Sequence, residues 1–169
     1  FEIGNEVADA ISLTLEQVVS AVIIIAVLGE AIRLRMGWTI VGQRSYEAKQ
    51  VSALAWGALG VGMVLLLAPD PAYAYPLILS LSLGDPLLGE LRRNNVSTNT
   101  VIWAGAVGIA LIWASCAYFV DTPWFFVALM GPICVASEWP RLRYIDDNAT
   151  MLLIPLAVIL VVDPFLGIM

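Results

Sequence analysis

The chain has no histidine, one lysine and two cysteines among 169 residues, and only 13% of its side chains are charged. Without histidine it cannot build a Ser-His-Asp or Cys-His catalytic pair, nor a histidine-ligated zinc site. Cys116 and Cys134 fall inside apolar runs, with neither the spacing nor the companions of a metal centre, and read as small buried hydrophobes. The scarcity of charge excludes an ordinary soluble helical domain, because stretches such as 18–29 and 51–68 carry no charge anywhere around their circumference. No nucleic-acid partner is expected of a chain with net charge −6. There is no Ser- or Gly-rich linker and no long internal repeat, so residues 1–169 read as a single transmembrane domain. The chain begins at Phe1 rather than at a methionine, which allows for an upstream segment.

What is present is hydrophobic, 60% of all residues, arranged in about six apolar segments: 11–36, 51–68, 72–92, 101–120, 123–138 and from 149 onward. The expected fold is an all-α polytopic helical bundle. The basic residues are distributed one-sidedly. Arg33, Arg35, Arg44 and Lys49 follow the first segment, Arg92 and Arg93 the third, and Arg141 and Arg143 the fifth. The alternate connections carry Asp70, Asp121 and Asp163 and no basic residue. Positive-inside bias then puts the arginine-bearing loops in the cytosol and Phe1 outside. Trp124 and Trp139 bracket the fifth segment, where interfacial aromatic belts are expected.

The third segment is apolar only as far as Leu83 and reaches full length only by running through Gly84-Asp85-Pro86 to Arg92. Asp85 then lies about 10 Å inside the cytosolic interface, at ~1.5 Å of rise per residue. Proline is favoured at the first position of a helix and aspartate just before it, so this tripeptide predicts a broken third helix whose second half is capped by Asp85. Breaks of this kind usually line a polar cavity. The fifth segment is expected to be interrupted at Gly131-Pro132.

Glu30, Glu47, Asp85, Glu90, Glu138, Asp146 and Asp147 all approach the basic side, from four stretches of sequence. Helix ends converge in a bundle, so these carboxylates meet arginines at one depth. Such a set suits Mg²⁺ and the phosphate that accompanies it. Glu30 with Arg33, and Glu90 with Arg93, sit at i,i+3 and read equally as local ion pairs. Asp146 reads alone as a solvated loop residue, and Asp147 with Asn148 as the cap of the last segment. A charged residue at the depth of Asp85 is costly where serine or asparagine would cap as well, and this favours a functional role.

Four elements in order carry a resemblance to a known family. They are Glu30-Ala31-Ile32-Arg33, Arg44-Ser45-Tyr46-Glu47-Ala48-Lys49 before a Gly-rich segment, Leu83-Gly84-Asp85-Pro86 with Gly89, and Glu138 followed by Asp146-Asp147-Asn148 and Pro155. Together they resemble the dolichol kinase and phytol kinase family of CTP-dependent lipid-alcohol kinases, related to phosphatidate cytidylyltransferases. The resemblance implies transfer of the terminal phosphate of CTP to the hydroxyl of a polyprenol or other long-chain alcohol, with Mg²⁺. It implies catalytic roles for Asp85, Glu138 and Asp147, metal binding by Asp85, Asp146 and Asp147, and nucleotide contacts from Arg44, Lys49, Arg92, Arg93 and Asn148. In place of the family's Lys-Ser-x-Glu-Gly-type phosphate loop, this chain has Arg92-Arg93-Asn94-Asn95-Val96-Ser97. Cytidylyl transfer to a phospholipid, and a non-catalytic subunit or ion-conducting transporter, are the alternative functions.

Overall fold

Short oxygen-bearing side chains start the helices, because each can accept a hydrogen bond from a backbone N–H that the first turn leaves unpaired. The computed structural model describes residues 13–39, 48–139, 142 and 144–166. Thr14 opens α1 (Leu15–Met36) with a reciprocal capping box to Gln17. Ser52 caps α2 (Ala53–Leu67), and Asp70 caps α3 (Pro71–Leu79) through Ala72 N–H at 2.7 Å. A π-helical segment, Ser80–Gly84, joins α3 to α4 (Asp85–Arg93). Ser97 caps α5 (Thr98–Phe119); α6 (Phe125–Glu138) and α7 (Asp147–Leu166) complete the fold. No strand occurs among the described residues.

Three helices, α1, α5 and α7, are long and apolar enough to cross a membrane; α2 and α6 are apolar but shorter. Large apolar side chains stand exposed along the outer faces, including Ile25 and Leu28 on α1 and Trp103 and Leu111 on α5. Water does not tolerate contiguous apolar faces on this scale, and lipid does. The chain is thus a helical membrane bundle. Trp124 and Trp139 are exposed at the two ends of α6, as the aromatic-belt reading expects.

Polar contacts sort the helix ends into two groups. At one end Arg33 donates to the carbonyl of Gln50 and Trp56 Nε1 donates to the carbonyl of Tyr144. Asn148 Nδ2 lies 3.5 Å from the carbonyl of Ala53, and Arg92 pairs with Glu138. At the other end Tyr73 donates to Asp163, and Thr122 to the carbonyl of Ala72. Successive segments therefore alternate in direction. All the basic residues that are described, Arg33, Arg35, Lys49, Arg92 and Arg93, belong to the first end.

The core lies between α3, α5, α6 and α7, around Trp113, Phe126, Leu77, Met130, Met151 and Ile159. Tyr73 meets Phe126 edge to face at 5.4 Å. Helices α5 and α6 approach closely at Gly131, where an added Cβ would lie 2.4 Å from the carbonyl oxygen of Ala106. Helix α6 runs on through Gly131-Pro132 without the expected interruption.

The third segment corrects a second expectation. Gly84 and Asp85 both have right-handed helical backbone angles and Asp85 makes no side-chain cap, so no break and fresh start occurs. Instead, the turns over 80–84 widen. In a regular α-helix the Pro86 ring would press on the carbonyl four residues earlier, and a π turn relieves that clash while keeping the chain helical. Ser80, at the start of the widening, is held in the core by Trp113 Nε1 at 3.0 Å.

Candidate active site

Asp85 owes its position to Gly84. A Cβ at Gly84 would lie 3.2 Å from Ile109 and 3.9 Å from Met151, so the missing side chain lets the third segment sit directly against α5 and α7. Met151 is one turn beyond Asp147 on α7. Seating Gly84 there places Asp85 opposite the first turn of α7, where the negative charge of Asp147 acts on it, together with the positive charge of Arg92. Asp85 is half-buried and Asp147 is exposed. Among the described residues, no donor hydrogen-bonds either carboxylate. One turn beyond Asp85, Gly89 faces open space, with no atom within 4 Å of where its Cβ would be.

Asp146 performs the capping role that the sequence offered to Asp147. Its Oδ1 accepts from Asn148 N–H at 3.1 Å, and its carbonyl accepts from Thr150 N–H at 3.3 Å, the first α-type bond of α7. Asp147, one residue inside the helix, is left with its carboxylate uncommitted. Asn148 faces α2, its Cβ 3.9 Å from where a Cβ on Gly57 would stand.

Glu138 is almost completely enclosed, its side chain 1% exposed, and the Arg92 guanidinium embraces it through both terminal nitrogens; the second contact is 2.9 Å. The arginine is 42% exposed on its other side and lies 5.1 Å from the centre of the Trp139 ring. A fork-to-fork pair of this kind fixes two planes at once. It ties the end of α4 to the end of α6 beside Asp85, whose charge also reaches Glu138, as does that of Asp147. Arg92, expected as a nucleotide contact, is therefore committed in large part to Glu138.

The other candidates lie outside this group. Arg93 is 82% exposed and 3.7 Å from Glu90, itself 61% exposed, a pair that water weakens to little. Lys49 is exposed in the turn before α2. Arg44 and Glu47 lie outside the described residues, as do Arg141 and Arg143. The stretch after Arg92 is a helix stop: Asn95 takes φ +55° and Val96 N–H returns to the carbonyl of Leu91 at 3.3 Å.

Glu30 and Arg33 resolve in favour of a structural role. Arg33, only 4% exposed, donates Nε and Nη2 to Glu30 at 2.8 and 2.7 Å, and Nη1 to the carbonyl of Trp38 at 2.7 Å. Glu30 also accepts from Ser52 N–H at 2.6 Å. The pair fastens the end of α1 to the start of α2. No such long-range closure is visible in the i,i+3 spacing alone.

No three carboxylates, thiols or imidazoles among the described residues converge on a point that would hold a metal ion unaided. Two donor-free carboxylates of like charge on facing helices do, however, match the way Mg²⁺ is usually held, by one or two carboxylates with the rest of its shell from water and substrate phosphate. Comparison with protein-family models, with curated proteins and with solved structures finds no match.

Proposed function

We propose that this chain is a CTP-dependent lipid-alcohol kinase, crossing the membrane six times with its charged end in the cytosol and its reaction at Asp85 and Asp147. The observation that carries the reading is the pair itself: two carboxylates without donors among the described residues, Asp85 half-buried beside a widened helix and Asp147 exposed on the first turn of α7, near enough for its charge to act on Asp85. Like charges brought together without partners are unfavourable unless a cation completes them. The ordered motifs from Glu30 to Pro155 supply the nucleotide and acceptor classes by resemblance.

In this reading Asp85 and Asp147 would hold Mg²⁺, with water and substrate phosphate completing its shell, and the ion would neutralise phosphate charge on the bound nucleotide. Asp146, expected as a third ligand, is spent on the cap that shapes this turn. Arg92 keeps one face toward the site while Glu138 and Trp139 fix its plane, so Glu138 acts as a positioning residue through Arg92. Lys49, Arg93, Arg44 and Asn148 supply further polar contacts around the nucleotide. The alcohol oxygen attacks the terminal phosphorus; the bond from that phosphorus to the bridging oxygen breaks, CDP departs with the electron pair, and the hydroxyl proton leaves to water at the exposed Asp147. Phosphoryl transfer asks for positioning and charge neutralisation more than for a covalent intermediate, so a site without histidine or a reactive cysteine suffices.

The test is product analysis with purified protein in phospholipid vesicles, CTP labelled in its terminal phosphate, Mg²⁺ and a polyprenol. Labelled polyprenyl phosphate and CDP are expected, with loss of product in Asp85→Asn and Asp147→Asn. Pyrophosphate release with a phosphatidate acceptor would establish cytidylyl transfer instead. Unchanged product in both folded variants would remove these residues from the reaction.

A further inference from the structure

Asp147 is exposed and its carboxylate receives no donor among the described residues, so its side chain is aimed by the backbone path rather than by packing. That path is the turn entering α7. Within it, Asp146 Oδ1 accepts from Asn148 N–H at 3.1 Å, and Thr150 Oγ1 donates to the carbonyl of Asp147 at 3.1 Å. Both bonds tie the turn to its own helix. The first turn of a helix lacks the backbone partners that hold its interior, so placing this turn against the rest of the bundle needs a tie from another helix.

Trp56 supplies such a tie. Its Nε1 donates at 3.1 Å to the carbonyl of Tyr144, on the limb that leads into Asp146 and Asp147. An indole nitrogen is a donor only, carried on a stiff ring, so the bond fixes both a distance and a direction. Gly57, the next residue, leaves room for Asn148, whose Cβ lies 3.9 Å from where a Gly57 Cβ would stand. The start of α2 is itself a fixed base: Glu30 accepts from Ser52 N–H at 2.6 Å, and Arg33 donates to the carbonyl of Gln50 at 2.8 Å. The buried ion pair of α1 is thereby relayed through the first turn of α2 to the turn that carries Asp147.

We infer that Trp56 is a positioning residue for Asp147: through the Tyr144 carbonyl it holds the turn before α7 so that the Asp147 carboxylate stays beside Asp85, where a divalent cation joins the two. The inference rests on the lipid-alcohol kinase reading for the use made of that cation, so metal binding is measured apart from phosphate transfer. The full chain in phosphatidylcholine nanodiscs is titrated with Mn²⁺, and the free ion is followed by electron paramagnetic resonance. The native chain is compared with Trp56→Phe, Asp147→Asn, their double variant and Trp103→Phe. Phenylalanine keeps an aromatic ring at a partly buried position and removes only the donor edge. Trp103, exposed on α5, is the control. Trp56→Phe should weaken Mn²⁺ binding about fivefold, the equilibrium equivalent of one net hydrogen bond. Trp103→Phe should leave it unchanged. In Asp147→Asn the carboxylate being aimed is gone, so adding Trp56→Phe should weaken the remaining binding no further.

Native Mn²⁺ affinity in Trp56→Phe would overturn the inference. So would an equal loss with and without Asp147, which would make Trp56 a general support of the fold, or an equal loss in Trp103→Phe. The expected pattern of binding in a chain that forms no lipid phosphate would sink the kinase and leave Trp56 in its role. Phosphate transfer that depends on Asp147, with Mn²⁺ affinity indifferent to Trp56, would do the reverse. A native chain that binds no Mn²⁺ would overturn both.

Discussion

Exchanging the members of the Arg92–Glu138 pair should expose an asymmetry that follows from their burial. The Glu138 side chain is 1% exposed and that of Arg92 is 42% exposed, although the contact between them is shared. Arg92→Met strands a carboxylate where water cannot reach it. Breaking a buried pair in this way costs about 3–5 kcal/mol. Glu138→Gln keeps the side-chain volume and one acceptor, and the arginine can turn its exposed edge to water. The loss should then be nearer ~1.5–3 kcal/mol, the range for a hydrogen bond to a charged group, because the remaining partner stays solvated. In the double variant no charge is stranded, so it should be more stable than Arg92→Met alone, with a coupling of at least ~1 kcal/mol. Arg92→Lys should recover only part of the loss, since an ammonium group neither forks onto a carboxylate nor stacks on Trp139. Reversible unfolding in mixed detergent micelles, read by tryptophan fluorescence, gives all four values. If Glu138→Gln costs as much as Arg92→Met, or if the double variant is simply the sum of the singles, the pair is not a buried clamp and its claim to position the site falls with it.

Other substitutions divide structure from chemistry around the same turn. Asp146→Ala should cost about 1 kcal/mol of stability through loss of the cap on α7, whereas Asp147→Asn, which relieves repulsion with Asp85, should leave stability unchanged or raised while abolishing product, as unfolding curves and labelled-phosphate transfer will check. Gly89→Leu should stabilise α4 by up to ~0.8 kcal/mol through helix propensity; yet it should block phosphate transfer by filling the open space one turn beyond Asp85, and full activity in that variant would move the site elsewhere. Gly131→Ala should destabilise the bundle by about 1–3 kcal/mol, because the new methyl meets a backbone carbonyl that cannot rotate away; a neutral effect on thermal unfolding would contradict the helix spacing.

The helices themselves were legible because hydropathy and short oxygen-bearing caps mark them locally: Ser52, Asp70 and Ser97 each stand one residue before a helix. The one-sided basic charge was legible too, and the described basic residues do share one end of the bundle. What failed to show was decided by partners distant in sequence. Gly84-Asp85-Pro86 satisfies the local rules for a capped break equally well as those for a widened helix, and the choice between them comes from tertiary seating, with Gly84 against Ile109 and Met151 and Ser80 on Trp113. Asp146 and Asp147 are adjacent and chemically identical, so residue type alone cannot say which one caps; the answer needs the backbone path of the turn. The same limit hid the role of Glu138. Local spacing pairs Arg93 with Glu90, yet the exposed i,i+3 contact is the weak one, and the enclosed pair joins Arg92 to a residue two segments away. A usable signal did exist, since opposite charges at like ends of the third and fifth segments must lie at similar depth in an alternating bundle. Once Asp146 is assigned to the cap and Arg92 to Glu138, the acids at this end that have neither a donor nor a salt-bridge partner among the described residues are Asp85 and Asp147. The candidate site is therefore defined less by its clustered charge than by the charges that folding leaves unspent.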